Sequence, residues 1–400
     1  MKMIIGLYGI YGLYNFGCEA ILRGSEKLIH MIDKNIDIIY FSYNYDYDVN
    51  ILRNVNLKVI KIEPNSNLLL RILNKIGSIF NTEKRIMLID YKKIINSVDE
   101  LWSIGGDMYT IPISAMTNGK YSYYNHLIDF CDRTYKKGKK LILFGASVGP
   151  FGAYKKAVNY YQQALSHYDA IYCREYESIK YLKNIGISKS YFLPDPAFLI
   201  TSSKKIKTKK YIGVNFSPVS FDQINGKHSP KDIHMIANLL EKIIDKFNAD
   251  IMMLPHVLSK EERDNDLNFL IEIKNKMEKT YRDRVQMGYY EQGYLGIKES
   301  IVQCKLVISA RMHCAINAIT ECIPTIFLSY SQKSVGLCDY IYGNQKWVIN
   351  LKYISDLLLP KIAEMLTSEE EITKFLQNRQ LEYTNIIDGA IPMIKKEVMI

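Results

Sequence analysis

None of the seven cysteines (Cys18, Cys131, Cys173, Cys304, Cys314, Cys322, Cys338) stands in a CxxC pair, and no cysteine–histidine cluster has metal-ligand spacing. This scatter excludes a zinc ribbon and a disulfide-built scaffold, and fits reduced, mostly buried thiols in a cytoplasmic protein. No window reaches the ~18 apolar residues that a transmembrane helix needs. The start, MKMIIGLYGIYGLYNFGC, places a lysine before an apolar stretch that ends on a cysteine. Gly6, Gly9 and Gly12 break that stretch and a helical pattern follows at once, which argues against a signal peptide. Long basic arms, aromatic-basic repeats, low-complexity tracts and internal repeats are absent. The formal charge of +10, carried mostly by dispersed lysine with short clusters at 136–140 and 204–210, therefore has no nucleic-acid signature. It favours other anions, namely phosphorylated substrates or an acidic membrane face, and peripheral contact with the inner face of a membrane is compatible with it.

What is present is ordinary soluble material: 48% apolar and 24% charged residues over 400 positions, enough for a substantial core without staples. Strand-like and helix-like runs alternate from end to end. MKMIIGLYG, IDIIYFS, ELWSIGGD, KKLILFGASVGP and AIYCRE read as strands of a first series, with helical spacing between them. The polar, basic segment 201–210 (TSSKKIKTKK) reads as a linker, after which the alternation restarts with YIGVNFS, ADIMMLPH, KLVIS and PTIFLSY. This order predicts an α/β protein of two Rossmann-like, doubly wound domains with a cleft between them. The expected division is an N-terminal domain over 1–200, a C-terminal domain over 211–365, and a long amphipathic helix within 366–400 that packs back across the domains.

In doubly wound sheets ligands bind beyond the carboxyl ends of strands, so residues just after strands are the candidates. The first strand leads into YNFGCEAIL, with Asn15 and Glu19 at a helix entry, although no GxGxxG fingerprint is present. Asp107 follows SIGG, placed to hydrogen-bond a sugar hydroxyl, to act as a base, or simply to cap a helix. Arg174 follows AIYC and His256 follows MMLP. In LVISARMHCAINAI, Arg311 and His313 sit where an apolar strand turns into a helix. A guanidinium there can present a fork to a phosphate or carboxylate, with an imidazole beside it able to deliver a proton. Ser329 and Lys333, in SYSQKS, lie past another strand, and Lys333 is a candidate second cation. Read from residues alone, the chain is an enzyme that binds an anionic small molecule between two α/β domains.

Several of these segments together resemble one family, the polysaccharide pyruvyl transferases. YGLYNFGCEAIL resembles its Tyr-Gly-x-x-Asn-x-Gly-Asp-Glu-Ala-Ile-Leu signature, IGGDMY its Gly-Gly-Asp segment, and FGASVGPF its Gly-x-Gly-x-Gly-Pro turn. CREYES, LPDPAF and SARMHCAINAITECIPTIFLSYSQKSVG resemble three further blocks, all in the family's order. The sequence departs from the pattern at Cys18, where the family has aspartate, and at Ile104, where a third glycine is common.

The resemblance implies a fold like that of the GT-B glycosyltransferases. It also implies transfer of a pyruvyl group from phosphoenolpyruvate to two hydroxyls of a sugar, in a polysaccharide or a lipid-linked precursor, giving a cyclic ketal. On this reading Arg311, Arg174 and Lys333 clamp the donor, and His313, with His256 second, is the general acid. Asp107 and Glu19, from the other domain, orient the acceptor sugar or act as base, and Asn15 and Ser329 line the site. The donor is a substrate, and no cofactor or metal is expected. Two other readings are a nucleotide-sugar glycosyltransferase on the same architecture, for which Glu321 or Glu291 would have to hold a ribose, and a non-catalytic glycan-binding protein suggested by 31 tyrosines.

Overall fold

Strands with side chains buried on both faces read in sequence as unbroken apolar runs, and parallel sheets are built from such strands. The computed structural model describes residues 2–53, 55–63, 68–69, 72–73, 89–111, 116, 123–202 and 209–398. In it the apolar runs form two all-parallel sheets.

The first sheet contains β1 (Ile4–Tyr8), β2 (Asp37–Ser42), β3 (Lys58–Lys61), β4 (Glu100–Ile104), β5 (Lys140–Ala146), β6 (Ala170–Cys173) and β7 (Ser190–Phe192), ordered β3-β2-β1-β4-β5-β6-β7. The second contains β8 (Tyr211–Asn215), β9 (Asp250–Met253), β10 (Val285–Met287), β11 (Cys304–Ser309), β12 (Thr325–Ser329) and β13 (Val348–Asn350), ordered β10-β9-β8-β11-β12-β13. Both follow the doubly wound plan, in which the order reverses beside the first strand. The two-domain α/β fold expected from the alternation is therefore present.

The helices follow from local chemistry. Pro230–Phe247 opens with a reciprocal Ser229–Asp232 capping box and a proline in its first turn, and ends at Asn248 in the left-handed region (φ 45°). Its buried face, Ile233, Ile236, Ala237, Leu240, Ile243 and Ile244, repeats at helical spacing against the second core. The first unit has its own core, including Leu101, Leu141, Leu143, Phe130 and Ile171.

Chain membership departs from the expected division. One compact unit comprises 1–12, 21–196 and 386–400, and the other 13–20 and 197–385. The signature segment Leu13–Ala20, expected with the N-terminal domain, thus belongs to the second unit. The final helix, Glu369–Val398, contributes residues up to Asn385 to the second unit and the remainder to the first. Of the linker expected at 201–210, residues 203–208 lie outside the described part. Among the described residues, no helix is long and apolar enough to cross a membrane.

Candidate functional site

In the second unit the strand order reverses between β8 and β11, whose register pairs Asn215 with Ser309 at their carboxyl ends. Asn215 links the two ends: its carbonyl accepts from Ala310 N (3.1 Å) and its Oδ1 from Arg311 N (2.8 Å). Arg311 therefore stands at the topological switch point, as the N-cap residue of helix Met312–Ile319. Its side chain meets two aspartates. Nη2 donates to Asp264 Oδ1 (2.6 Å), and both Nη2 and Nε reach Asp266 Oδ1 (2.8 and 3.2 Å). Asp266 is fully buried and also accepts from His256 N (3.2 Å) and Asn215 Nδ2 (3.4 Å). Burial opposes the charge on Arg311, but Asp266 and Asp264 hold its pKa above the ordinary arginine value.

His313, in the first turn of that helix, is half-buried and lies against the backbone of Gly17. A Cβ at position 17 would stand 2.4 Å from the ring's Nδ1, so the glycine of the YNFGCEAIL signature is required by the imidazole. The segment carrying Gly17 is pinned by backbone bonds: Phe16 N donates to His256 O (2.9 Å) and Leu258 N to Tyr14 O (2.9 Å).

Of the other expected residues that fall in this unit, Asn15, Glu19 and Ser329 have side chains turned to structural tasks. Asn15 Oδ1 accepts from Gly17 N (3.0 Å), capping the helix Phe16–Ile32. Glu19, expected on the acceptor side with Asp107, belongs to the second unit instead. It is fully buried, and its carboxylate accepts from Tyr294 N (2.7 Å) at the start of helix Gly293–Ile301, where the helix dipole favours an anion. Ser329 is buried at the end of β12, its hydroxyl donating to Ser331 O (2.9 Å). Lys333 is exposed in the first turn of helix Gln332–Tyr342.

His256, expected as a second candidate acid, is 1% exposed. Its Nδ1 lies 3.4 Å from Leu254 O and its Nε2 3.4 Å from Asn317 Nδ2, which fits the tautomer protonated on Nδ1. Burial, reinforced by His313, Arg311 and Lys298, pushes its pKa down to about 3, so the ring is neutral near neutral pH. That is a poor setting for an imidazolium acid.

In the first unit the order reverses between β1 and β4, and Asp107 follows β4. Arg174, just after β6, is buried and organises this end of the sheet. Nη1 donates to Asp195 (2.8 Å), Nη2 to Asp107 (3.1 Å) and Nε to Ser147 Oγ (3.0 Å). Burial disfavours its charge, yet Asp195 and Asp107 hold the pKa above the ordinary value. Gly106 permits this packing, since a Cβ there would lie 2.7 Å from Nη2. The Asp107 side chain is 48% exposed, in contrast to the buried arginine that holds it.

The structure thus joins Arg311 and His313 to the signature segment in one unit, and Arg174 to Asp107 in the other. Asp264, Asp266, Asn215 and Asn317 were not anticipated, and neither was the pairing of Asp195 with Arg174. For Asp264 and Asp266 the only trace in sequence is a DND triplet at a helix start, which reads as ordinary capping, whereas Asp195 stands in the LPDPAF block. The one group of potential metal ligands among the described residues is Cys131, Asp132 and His167, whose ligand atoms lie within 4.8 Å of one another. His167 lies shortly before β6, at the amino end of that strand, whereas Asp107 and Arg174 follow carboxyl ends.

The family model for polysaccharide pyruvyl transferase matches residues 15–332. The chain is 22% identical to the amylovoran biosynthesis protein AmsJ of Erwinia amylovora, covering 97% of this chain and 98% of that one. Among solved structures it resembles Anabaena HepE in complex with UDP and glucose (TM-score 0.59, 10% identity, 99% of each chain). It also resembles the UDP-GlcNAc 2-epimerase of Methanocaldococcus jannaschii (TM-score 0.54, 13% identity, 92% of this chain and 93% of that one). At these identities the structural likenesses establish the two-domain, GT-B-like fold alone, whereas the family match spans both strand-end arginines and the histidine beside one of them. The chain belongs to the polysaccharide pyruvyl transferase family and is a pyruvyltransferase.

Proposed function

We propose that the protein transfers the pyruvyl group of phosphoenolpyruvate to two hydroxyls of a sugar, closing a cyclic ketal and releasing phosphate. The acceptor would belong to a polysaccharide or its lipid-linked precursor. The observation that carries this reading is the placement of Arg311 at the switch point of the second sheet, with His313 in the first turn of the helix it caps.

The donor carries a carboxylate and a phosphate, and a guanidinium fork suits either. His313 delivers a proton to the methylene carbon, which becomes a methyl group and leaves the central carbon electrophilic. The first sugar hydroxyl adds there and gives up its proton to a base. The carbon–oxygen bond to phosphate then breaks, and the second hydroxyl closes the ring, its proton passing to the departing phosphate. Protons and charge then balance without an electron carrier, and the scheme assigns no step to a cofactor or a metal.

His313 is preferred to His256 because His256 is sealed, neutral and bonded through both ring nitrogens. In the first unit, Asp107 is assigned to an acceptor hydroxyl, and Arg174, buried and bonded to Asp107 and Asp195, to holding that aspartate in place rather than to the donor. Lys333, exposed at a helix start, is a further cation for the donor. Mass spectrometry of candidate acceptors incubated with enzyme and phosphoenolpyruvate tests the proposal. The expected product gains one pyruvate less one water, and free phosphate appears in equal amount.

A further inference from the structure

Arg311 has two carboxylate partners, and they are not equivalent. Asp266 is fully buried, opens helix Asp266–Lys276, and is held by His256 N and Asn215 Nδ2 as well as by the arginine. It approaches the guanidinium from the side, through Nε and Nη2. Asp264 closes the short turn Glu262–Asp264, its side chain is 38% exposed, and it touches only Nη2, at 2.6 Å. Nη1 makes no hydrogen bond among the described residues and is not sealed from solvent. The end-on edge of the fork, Nη1 with Nη2, is therefore half occupied, by the more weakly held acid.

We propose that Asp264 is a displaceable stand-in for the substrate's anionic group on Arg311, so that this aspartate sets affinity for the donor. An arriving phosphate or carboxylate takes Nη1 and Nη2 as a bidentate pair, and Asp264 turns to water. Asp266 stays and keeps the guanidinium aimed. Displacing Asp264 sacrifices only a half-exposed ion pair, a small loss. Leaving it in place would set a carboxylate against the incoming anion. The idea rests on the proposed use of Arg311 as the donor's anion site, and the test separates the two.

Initial rates at varied phosphoenolpyruvate would be measured for the wild-type protein, Asp264→Asn and Asp264→Glu, together with calorimetric binding of inorganic phosphate. Asp264→Asn is expected to lower KM for phosphoenolpyruvate by about two- to fivefold, the span of an exposed ion pair, a larger change than any in kcat. Phosphate binding should tighten by a similar factor, and Asp264→Glu, which restores the charge, should resemble the wild type. A KM for Asp264→Asn that is unchanged or raised would overturn the proposal, as would a fall confined to kcat. If the wild-type protein does not turn over phosphoenolpyruvate, the proposed function fails. The phosphate titrations still decide the role of Asp264: tighter binding by Asp264→Asn supports it and equal binding refutes it.

Discussion

Arg311 differs from a surface arginine in what its removal would leave behind. Asp266 would remain fully buried without its cation, a situation that typically costs about 3–5 kcal/mol. Arg311→Ala should therefore lower the urea midpoint as well as activity, while Arg311→Lys, which keeps the charge but not the fork, should recover stability more than turnover. His313→Ala removes a half-buried ring at a helix start, so it should unfold like the wild type yet lose about 10²–10⁴-fold in turnover, the usual contribution of a positioned acid. Gly17→Ala should act through the same ring, since its methyl group would force His313 aside; activity would fall with little change in secondary structure by circular dichroism. At this scale the position of the two arginines and His313 was legible, because a permanent cation or an imidazole just past a buried strand is conspicuous in sequence. Asp264 and Asp266 were not, because they meet Arg311 across 47 and 45 residues and carry no local mark beyond helix capping.

Elements show the same division between local and long-range information. Alternating apolar runs revealed strands such as β5 and β11 and the capped helix Pro230–Phe247, since both depend on neighbours in sequence. The allegiance of Leu13–Ala20 to the second unit was hidden, since a strand–turn–helix pattern reads alike whichever core its turn joins. Glu19 illustrates the consequence: its carboxylate caps a helix 275 residues away, and Glu19→Ala should destabilise the second unit by about 1–2 kcal/mol in chemical unfolding.

Glu100, which opens β4, is a buried acid in the first unit. Its Oε1 accepts from Trp102 Nε1 (2.8 Å), and burial pushes its pKa up to about 8. A carboxyl that is neutral when folded and charged when unfolded favours unfolding as pH rises. Stability should accordingly fall between about pH 4.5 and pH 8, by up to about 5 kcal/mol in all, and level off above. In Glu100→Gln that slope should vanish from urea titrations run across the range.

For the whole molecule, two doubly wound sheets place an arginine beyond a carboxyl strand end in each unit, Arg174 after β6 and Arg311 after β11. The fold class followed from alternation alone. The pyruvyltransferase assignment needed the ordered motifs, since the same architecture serves HepE, solved with UDP and glucose. The central claim is the donor. Enzyme, phosphoenolpyruvate and candidate saccharide acceptors, lipid-linked and free, should yield a product heavier by one pyruvate less one water, dependent on His313 and accompanied by equimolar phosphate. Absence of that product, together with stabilisation of the protein by a UDP or GDP sugar and none by phosphoenolpyruvate, would contradict the account.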